Sequence, residues 1–433
     1  MKKTANLIFQ HILWRGLYFL SVLVLNILIA RFFAAEKSGQ IFYIVNNLAF
    51  LILLASLSLE SGSIFYIASG KLEASLMGRF SALWAIGSAT IAWTGWWVIL
   101  HFTDHQYSTD TQFLSVCFFF ILGVLLTTYF TALFYARKQF EIPNKILFGV
   151  NAVLVILLLT GSNQPFIRNH FIQIYFSCFF IQGLLLMILF FYLVPQVQNG
   201  FIPSRLILKK LLRYSLTALI ANIIYFLVNR IDYWFVKKYC SPHDLGNYIQ
   251  ASKLGQMLLI LPSILASTLF PILSSDTDEK TNAELPFTVR ILFTINLLIC
   301  FPMILFGHWF FPWMFGETFN EIYLLFLLLF PGILCLTANY PLTAYYSSKK
   351  IIYKNSMGSF IALAIIIIGD FLFLPGNSVY AAAVVSSLGY FAYYCFILLS
   401  YRKKYALPIS DFLFLKKHDL SKIRSLLVRA EVK

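Results

Sequence analysis

Residues 211–236 read LLRYSLTALIANIIYFLVNRIDYWFV, residues 237–246 read KKYCSPHDLG, and residues 247–273 read NYIQASKLGQMLLILPSILASTLFPIL. Two long apolar runs thus flank one short polar turn. A bilayer core of ~30 Å is crossed by ~20 apolar residues in a helix. Each run is therefore predicted to be a membrane helix, and the two form a hairpin. Neither run alternates in the way barrel strands do. Lipid satisfies no open backbone group, which leaves the helix as the spanning form.

The same pattern repeats outward in both directions. Apolar runs occupy 11–33, 41–67, 79–102, 112–135, 143–160 and 170–194 before the hairpin, and 288–311, 321–346, 351–374 and 378–401 after it. With the hairpin they predict an all-α polytopic membrane protein of twelve transmembrane helices. Composition agrees: 60% of the 433 residues are hydrophobic and 12% are charged, against roughly 45–50% and about 25% in soluble domains. This excludes a soluble globular enzyme and a disordered chain. The gaps are short, and the longest piece outside the runs is 402–433. Met1-Lys2-Lys3 before an apolar run imitates a signal peptide. The run is too long and carries Arg15, so it is read as a retained first helix. The six cysteines form no CxxC pair, and five lie within apolar runs, as small buried hydrophobes do.

The formal charge is +15. With the N-terminus placed in the cytoplasm, 25 of the 33 Lys and Arg fall in cytoplasmic gaps and tail, and four in outer gaps. That asymmetry predicts both termini inside. Basic residues confined to such gaps argue against a nucleic-acid partner. The tail spacing of Leu420, Ile423 and Leu427 with Lys422, Arg424 and Arg429 suits either an anionic inner leaflet or a solvated segment.

The chain also resembles itself. Arg31 to Gly39 and Lys238 to Gly246 each place a basic residue eight positions before a glycine. Tyr135, Lys138 and Asn144 match Tyr346, Lys349 and Asn355. The offsets, 207 and 211, predict two parallel six-helix halves: 1–200, then 201–401, followed by the basic tail 402–433.

Charges inside membrane runs cost roughly 2.5–3.5 kcal/mol each by insertion measurements and point to function. The set is Arg15, Glu60, Arg230, Asp232, Lys253 and Asp370, with Arg31 at a helix end. Counting depth from the hairpin tips predicts two ion pairs, Arg15 with Glu60 and Asp232 with Lys253. Arg230 is two positions, roughly 200°, from Asp232 and so lies on another face. An Arg there either snorkels to headgroups or lines a wet cavity suited to phosphate. Asp370, five residues before Pro375, is expected to be solvated. Pro262, Pro302, Pro331 and Pro341 predict bends.

Enzyme signatures are missing: the sequence has no GxxxxGK[ST], HExxH, GxSxG or GxGxxG. Asp276-Thr-Asp278 has no nucleotide-binding fold around it. No cofactor or metal is expected. A small-molecule exporter remains an alternative. A membrane polysaccharide polymerase or ligase fits less well, because it needs a long outer loop with catalytic Arg or His.

Asn229-Arg-Ile-Asp-Tyr-Trp, Leu245-Gly-Asn-Tyr-Ile-Gln-Ala-Ser-Lys253 and Leu269-Phe-Pro-Ile-Leu-Ser274 together resemble helices 7–8 of the Wzx-type polysaccharide flippases. Those form a branch of the multidrug/oligosaccharidyl-lipid/polysaccharide exporter superfamily. Ala30-Arg31 through Ser38-Gly39 is similar to their segment after helix 1, and Phe315-Gly-Glu-Thr-Phe319 to their turn after helix 9. The resemblance implies two six-helix lobes around a central cavity in a bacterial plasma membrane. It implies translocation of undecaprenyl-diphosphate-linked oligosaccharide by alternating access, possible contact with polymerase machinery, and a cationic substrate site. Arg15, Arg230 and Lys253 match that site, and Glu60 or Asp232 could carry a coupling ion.

Overall fold

The structure is a computed structural model describing residues 2–103, 105–161, 164–195, 200, 202–275, 285–376, 378–412, 415–416 and 418–419. The described residues form an all-α, multi-pass membrane protein. Eleven of its helices are long and apolar enough to cross a bilayer. The first such span, Leu13–Ser56, has 44 residues. At ~1.5 Å per residue it would reach about 66 Å, more than twice a bilayer core. Ala34 breaks it, with φ 57° and ψ 177°. Helix α1 (Lys2–Ser56) therefore supplies two crossings, and the twelve expected runs are accounted for.

The chain divides into two compact units. Unit 1 is Met1–Phe33 with Ile41–Ile223; unit 2 is Ala34–Gln40 with Ile224–Lys433. The division falls inside a helix, later than the expected residue 200, and the turn Ala34–Gln40 belongs to unit 2.

In unit 1, α2 (Leu59–Ala68), α3 (Ala74–Thr103) and α7 (Pro165–Leu193) pack against α5 (Thr111–Ala136). Helix α4 (His105–Thr109) is a short link, and α6 (Glu141–Gly161) packs on α7. The α5–α7 seam is set by Gly123 and Gly183. A Cβ on Gly123 would lie 2.4 Å from the Phe180 Cα, and one on Gly183 2.4 Å from the Gly123 carbonyl oxygen. Small residues at such a crossing let backbones approach where lipid provides no hydrophobic drive. Phe120 stacks on Phe176 at 4.2 Å beside it.

In unit 2, α13 (Ile322–Ser348) is central. It packs against α10 (Pro242–Leu258), α11 (Ile260–Ser275), α12 (Leu285–Phe315) and α15 (Tyr380–Tyr405), and α14 (Ile352–Phe373) packs on α15. Helix α8 (Arg205–Arg230) leads into α9 (Asp232–Tyr239). Proline chemistry is visible at the α10–α11 break. Pro262 has no N–H for the Leu258 carbonyl four residues back. The Asn296 side chain donates to that carbonyl instead, at 3.4 Å, and also to the Thr337 hydroxyl. Pro302, Pro331 and Pro341 are carried inside continuous helices.

The sequence repeat has structural counterparts in each unit. Helices α5 and α13, the fourth crossing of each half, are the most buried spans, at 56% and 61%. Both end in left-handed lysines, Lys138 at φ 62° and Lys350 at φ 60°. The closing bonds also match: Gln139 N–H donates to Phe134 and Ile351 N–H to Tyr346. Such caps satisfy carbonyls that the helix end leaves open.

Three turns meet in unit 2. Gly39 lies against Gly246, and a Cβ on Gly246 would sit 2.0 Å from the Ala35 carbonyl oxygen. Ala35 N–H donates to the Thr318 hydroxyl at 3.1 Å. Asn247 donates to the Thr318 carbonyl and accepts from Glu321 N–H, both at 3.2 Å. The two glycines aligned by the repeat therefore touch each other. The first part of the tail is also packed. Phe412 is fully buried beside Tyr401, and Arg290 of α12 holds Asp419 through two bonds of 2.7 and 2.6 Å. Residues 420–433, with the expected amphipathic pattern, and Asp276-Thr-Asp278 lie outside the described residues.

Candidate functional site

In unit 1, Arg15 donates to the Tyr135 hydroxyl at 2.8 Å. Its guanidinium also sits over the rings of Phe19, Tyr18 and Tyr135, at 5.0, 5.9 and 5.9 Å. The Tyr135 hydroxyl in turn donates to Asn144 Oδ1 at 2.9 Å. Aromatic faces stabilise a poorly hydrated guanidinium.

The expected Arg15–Glu60 pair is not formed. Glu60 Oε2 is buried without a hydrogen-bond partner, near the Tyr129 hydroxyl. The cause is a second break in the same membrane run. Leu57 and Ser58 take φ 51° and 50°, so Glu60 opens a new helix and the depth count no longer applies. Tyr129 donates to the Ser56 carbonyl at 3.3 Å, and Asn222 to the Ser58 hydroxyl at 3.0 Å. Two successive left-handed non-glycine residues, held by side-chain bonds, store strain of the kind found at functional positions.

In unit 2, the expected Asp232–Lys253 pair is also absent. Asp232 is 1% exposed. It accepts from Tyr248 at 2.5 Å and Ser386 at 3.0 Å, while its Oδ1 has no hydrogen bond. The depth count was sound but the helix face was not. Tyr248 and Ser252 of α10 face α9, and Ser252 accepts from Tyr233 at 3.0 Å. Lys253 follows Ser252 by one residue, about 100° around the helix. It lies instead within electrostatic reach of Arg230. Arg230 itself covers the Phe226 ring at 5.1 Å. Two cations, on α8 and α10, thus lie within electrostatic reach of each other, and both belong to the cationic site that the resemblance implies.

Asp370 corrects another expectation. It is fully buried, and neither carboxylate oxygen has a hydrogen bond. It senses the charge of Asp232, and no Lys or Arg is among the partners of either acid. Like charges in a low dielectric repel strongly.

The fold resembles that of solved transporters of the multidrug/oligosaccharidyl-lipid/polysaccharide exporter superfamily. A family described as polysaccharide biosynthesis protein matches residues 168–324. A superfamily transporter from Pyrococcus furiosus, whose binding pocket has reversed polarity, aligns with TM-score 0.63 and 11% identity, over 93% of this chain and 95% of that one. The lipid II flippase MurJ, inward closed, aligns with TM-score 0.63 and 14% identity over 99% and 93%. An inward-facing multidrug-resistance transporter of the MATE family aligns with TM-score 0.64 and 12% identity over 90% and 94%. No curated protein matches the sequence.

Proposed function

We propose that the chain flips an undecaprenyl-diphosphate-linked oligosaccharide from the inner to the outer leaflet of a bacterial plasma membrane, supplying surface polysaccharide assembly. The observation that carries this reading is that Arg230 of α8 and Lys253 of α10, both in the membrane-spanning part of unit 2, lie within electrostatic reach of each other. Two neighbouring cations repel each other and suit a dianionic group, and guanidinium matches phosphate oxygens in particular. Both cations lie inside the segment matching a polysaccharide biosynthesis family, and a lipid II flippase shares the fold. A cationic drug would meet repulsion at the same place.

In this reading both termini are cytoplasmic, following the Lys and Arg asymmetry, and the basic tail meets anionic inner-leaflet lipid. Arg15 is a third contact for the substrate. Asp232 with Asp370, or Glu60, takes the coupling ion. The chain makes and breaks no covalent bond; exchange follows from different substrate affinities in inward- and outward-open states. Polymerase machinery would receive the product.

The test is translocation of fluorescent polyprenyl-diphosphate-linked glycan in proteoliposomes. The native chain should move it, and Arg230→Gln with Lys253→Gln should slow transfer by about 10- to 100-fold per lost charged contact. Equal rates in native and double-variant vesicles would end the assignment. Transport of a cationic dye instead of the glycan would support the exporter alternative.

A further inference from the structure

Unit 2 holds a cavity of about 210 Å³. Its polar walls are Tyr225 and Asn229 of α8, Asn339, Tyr340 and Thr343 of α13, Ser359 of α14 and Tyr393 of α15. No charged side chain lines it. Polar side chains inside membrane helices are costly and turn toward partners or functional space. Here three phenols, two carboxamides and the hydroxyls of Ser359 and Thr343 converge on one void. They satisfy one another only in part: Ser359 and Asn339 bond the Tyr393 hydroxyl, but Asn339 is 2% exposed and its Oδ1 accepts no hydrogen bond. Tyr225 and Tyr340 meet only at 3.4 Å between hydroxyl oxygens. A buried acceptor left open calls for a bound donor.

The lining selects by chemistry. A phosphate would find no cation in this wall. An alkyl chain would leave the amides and hydroxyls unpaired, which a buried polar site rejects strongly. A pyranose ring matches both features, with C–H faces for the tyrosine rings and hydroxyl edges for Asn229, Asn339 and Ser359. The size agrees, because drug-sized ligands occupy about 300–1,000 Å³ and this space suits a single ring. Position also agrees. Asn229 directly precedes Arg230, so the neutral wall and that cation lie at the same depth of α8, and in a lipid-linked glycan the first sugar is bonded directly to the diphosphate.

We propose that this cavity is the subsite for the first sugar ring of the translocated glycan. It rests on the flippase reading for the identity of its ligand. The full chain in proteoliposomes is given two lipids, a polyprenyl diphosphate and the same lipid bearing one sugar. The readout is the ratio of their rates. The native ratio should favour the glycosylated lipid by about tenfold, or ~1.4 kcal/mol. Asn339→Leu should bring the ratio close to one, and Tyr340→Phe, which keeps the ring, should lower it partway. Arg230→Gln with Lys253→Gln should slow both lipids without changing the ratio. A native ratio near one, or an Asn339→Leu ratio equal to the native, overturns the subsite. If the native chain moves neither lipid, the flippase reading fails by itself. Saturation-transfer NMR with methyl glycosides on the detergent-solubilised chain then decides the cavity. Transfer to ring protons that weakens in Asn339→Leu supports it. No transfer in the native chain, or equal transfer in the variant, overturns it.

Discussion

Replacing Asp419 by Asn should release the start of the tail from unit 2. Asp419 takes two bonds from Arg290, at 2.7 and 2.6 Å, and Arg290 adds a third to the Asp411 carbonyl at 2.5 Å. The side chains are 8% and 4% exposed. Removing one partner of a buried pair costs about 3–5 kcal/mol, chiefly by leaving the other charge uncompensated. This pair sits at the edge of the unit, so the low end, about 3 kcal/mol, applies. That is roughly two orders of magnitude in the opening equilibrium of the 409–419 segment. Hydrogen exchange by mass spectrometry on the detergent-solubilised chain reads this opening directly. Amides of 409–412 should exchange about 100-fold faster in the variant, while those of α13 stay unchanged. The hydrogen bonds from Arg290 also hold the Asp419 carboxyl below its usual range. A depressed acid contributes stability that is present above the unfolded value near ~3.9 and is lost as pH falls through the lower folded value. Docking should therefore be constant from pH 5 to 8 and weaken only below about pH 4. Unchanged exchange in Asp419→Asn at neutral pH would refute the reasoning.

Other perturbations test other contacts. Gly246→Val places a side chain against the Ala35 carbonyl and should cost more than about 3 kcal/mol; monodisperse protein of native melting temperature would contradict it. Asn296→Ala strips the Leu258 carbonyl of its donor and should cost about 1–3 kcal/mol, seen as a lower thermal midpoint in detergent. Asp370→Asn replaces one of two neighbouring buried acids by a neutral amide and should raise the thermal midpoint, most at high pH where both acids would be ionised, while abolishing gradient-driven transport. A midpoint difference that does not grow with pH would count against the two acids interacting.

The crossings were legible because lipid imposes a composition that no other environment demands. Ala34, Leu57 and Ser58 were not, since none is Gly or Pro; at Leu57 and Ser58 the flanking backbone and side chain are held by distant residues, Tyr129 and Asn222. Depth along a hairpin could be counted from sequence, but azimuth could not. That is why Asp232 and Lys253 were given to each other while packing gave them different partners. Asp370 carried a usable signal, an acid in the run Ile365-Ile-Ile-Ile-Gly-Asp370. Its nearness to Pro375 suggested a solvated end, and only the packing of α14 against α9 and α15 buries it. The tyrosine cavity was beyond reach, because it assembles residues from four helices separated by up to 168 positions in the chain.

The turn Ala34–Gln40 bears on how the chain is made. Its contacts are to Gly246 and Thr318, the latter 283 residues away. At roughly 5–20 residues per second, the ribosome delivers Thr318 about 15–60 s after Ala35. During that interval the first hairpin stands in the membrane with its turn unmatched, so unit 2 is completed by one of the earliest segments synthesised. A ribosome-bound chain ending before Gly246 should therefore leave Gly39→Cys open to a water-soluble thiol reagent, and completion of the chain should close it.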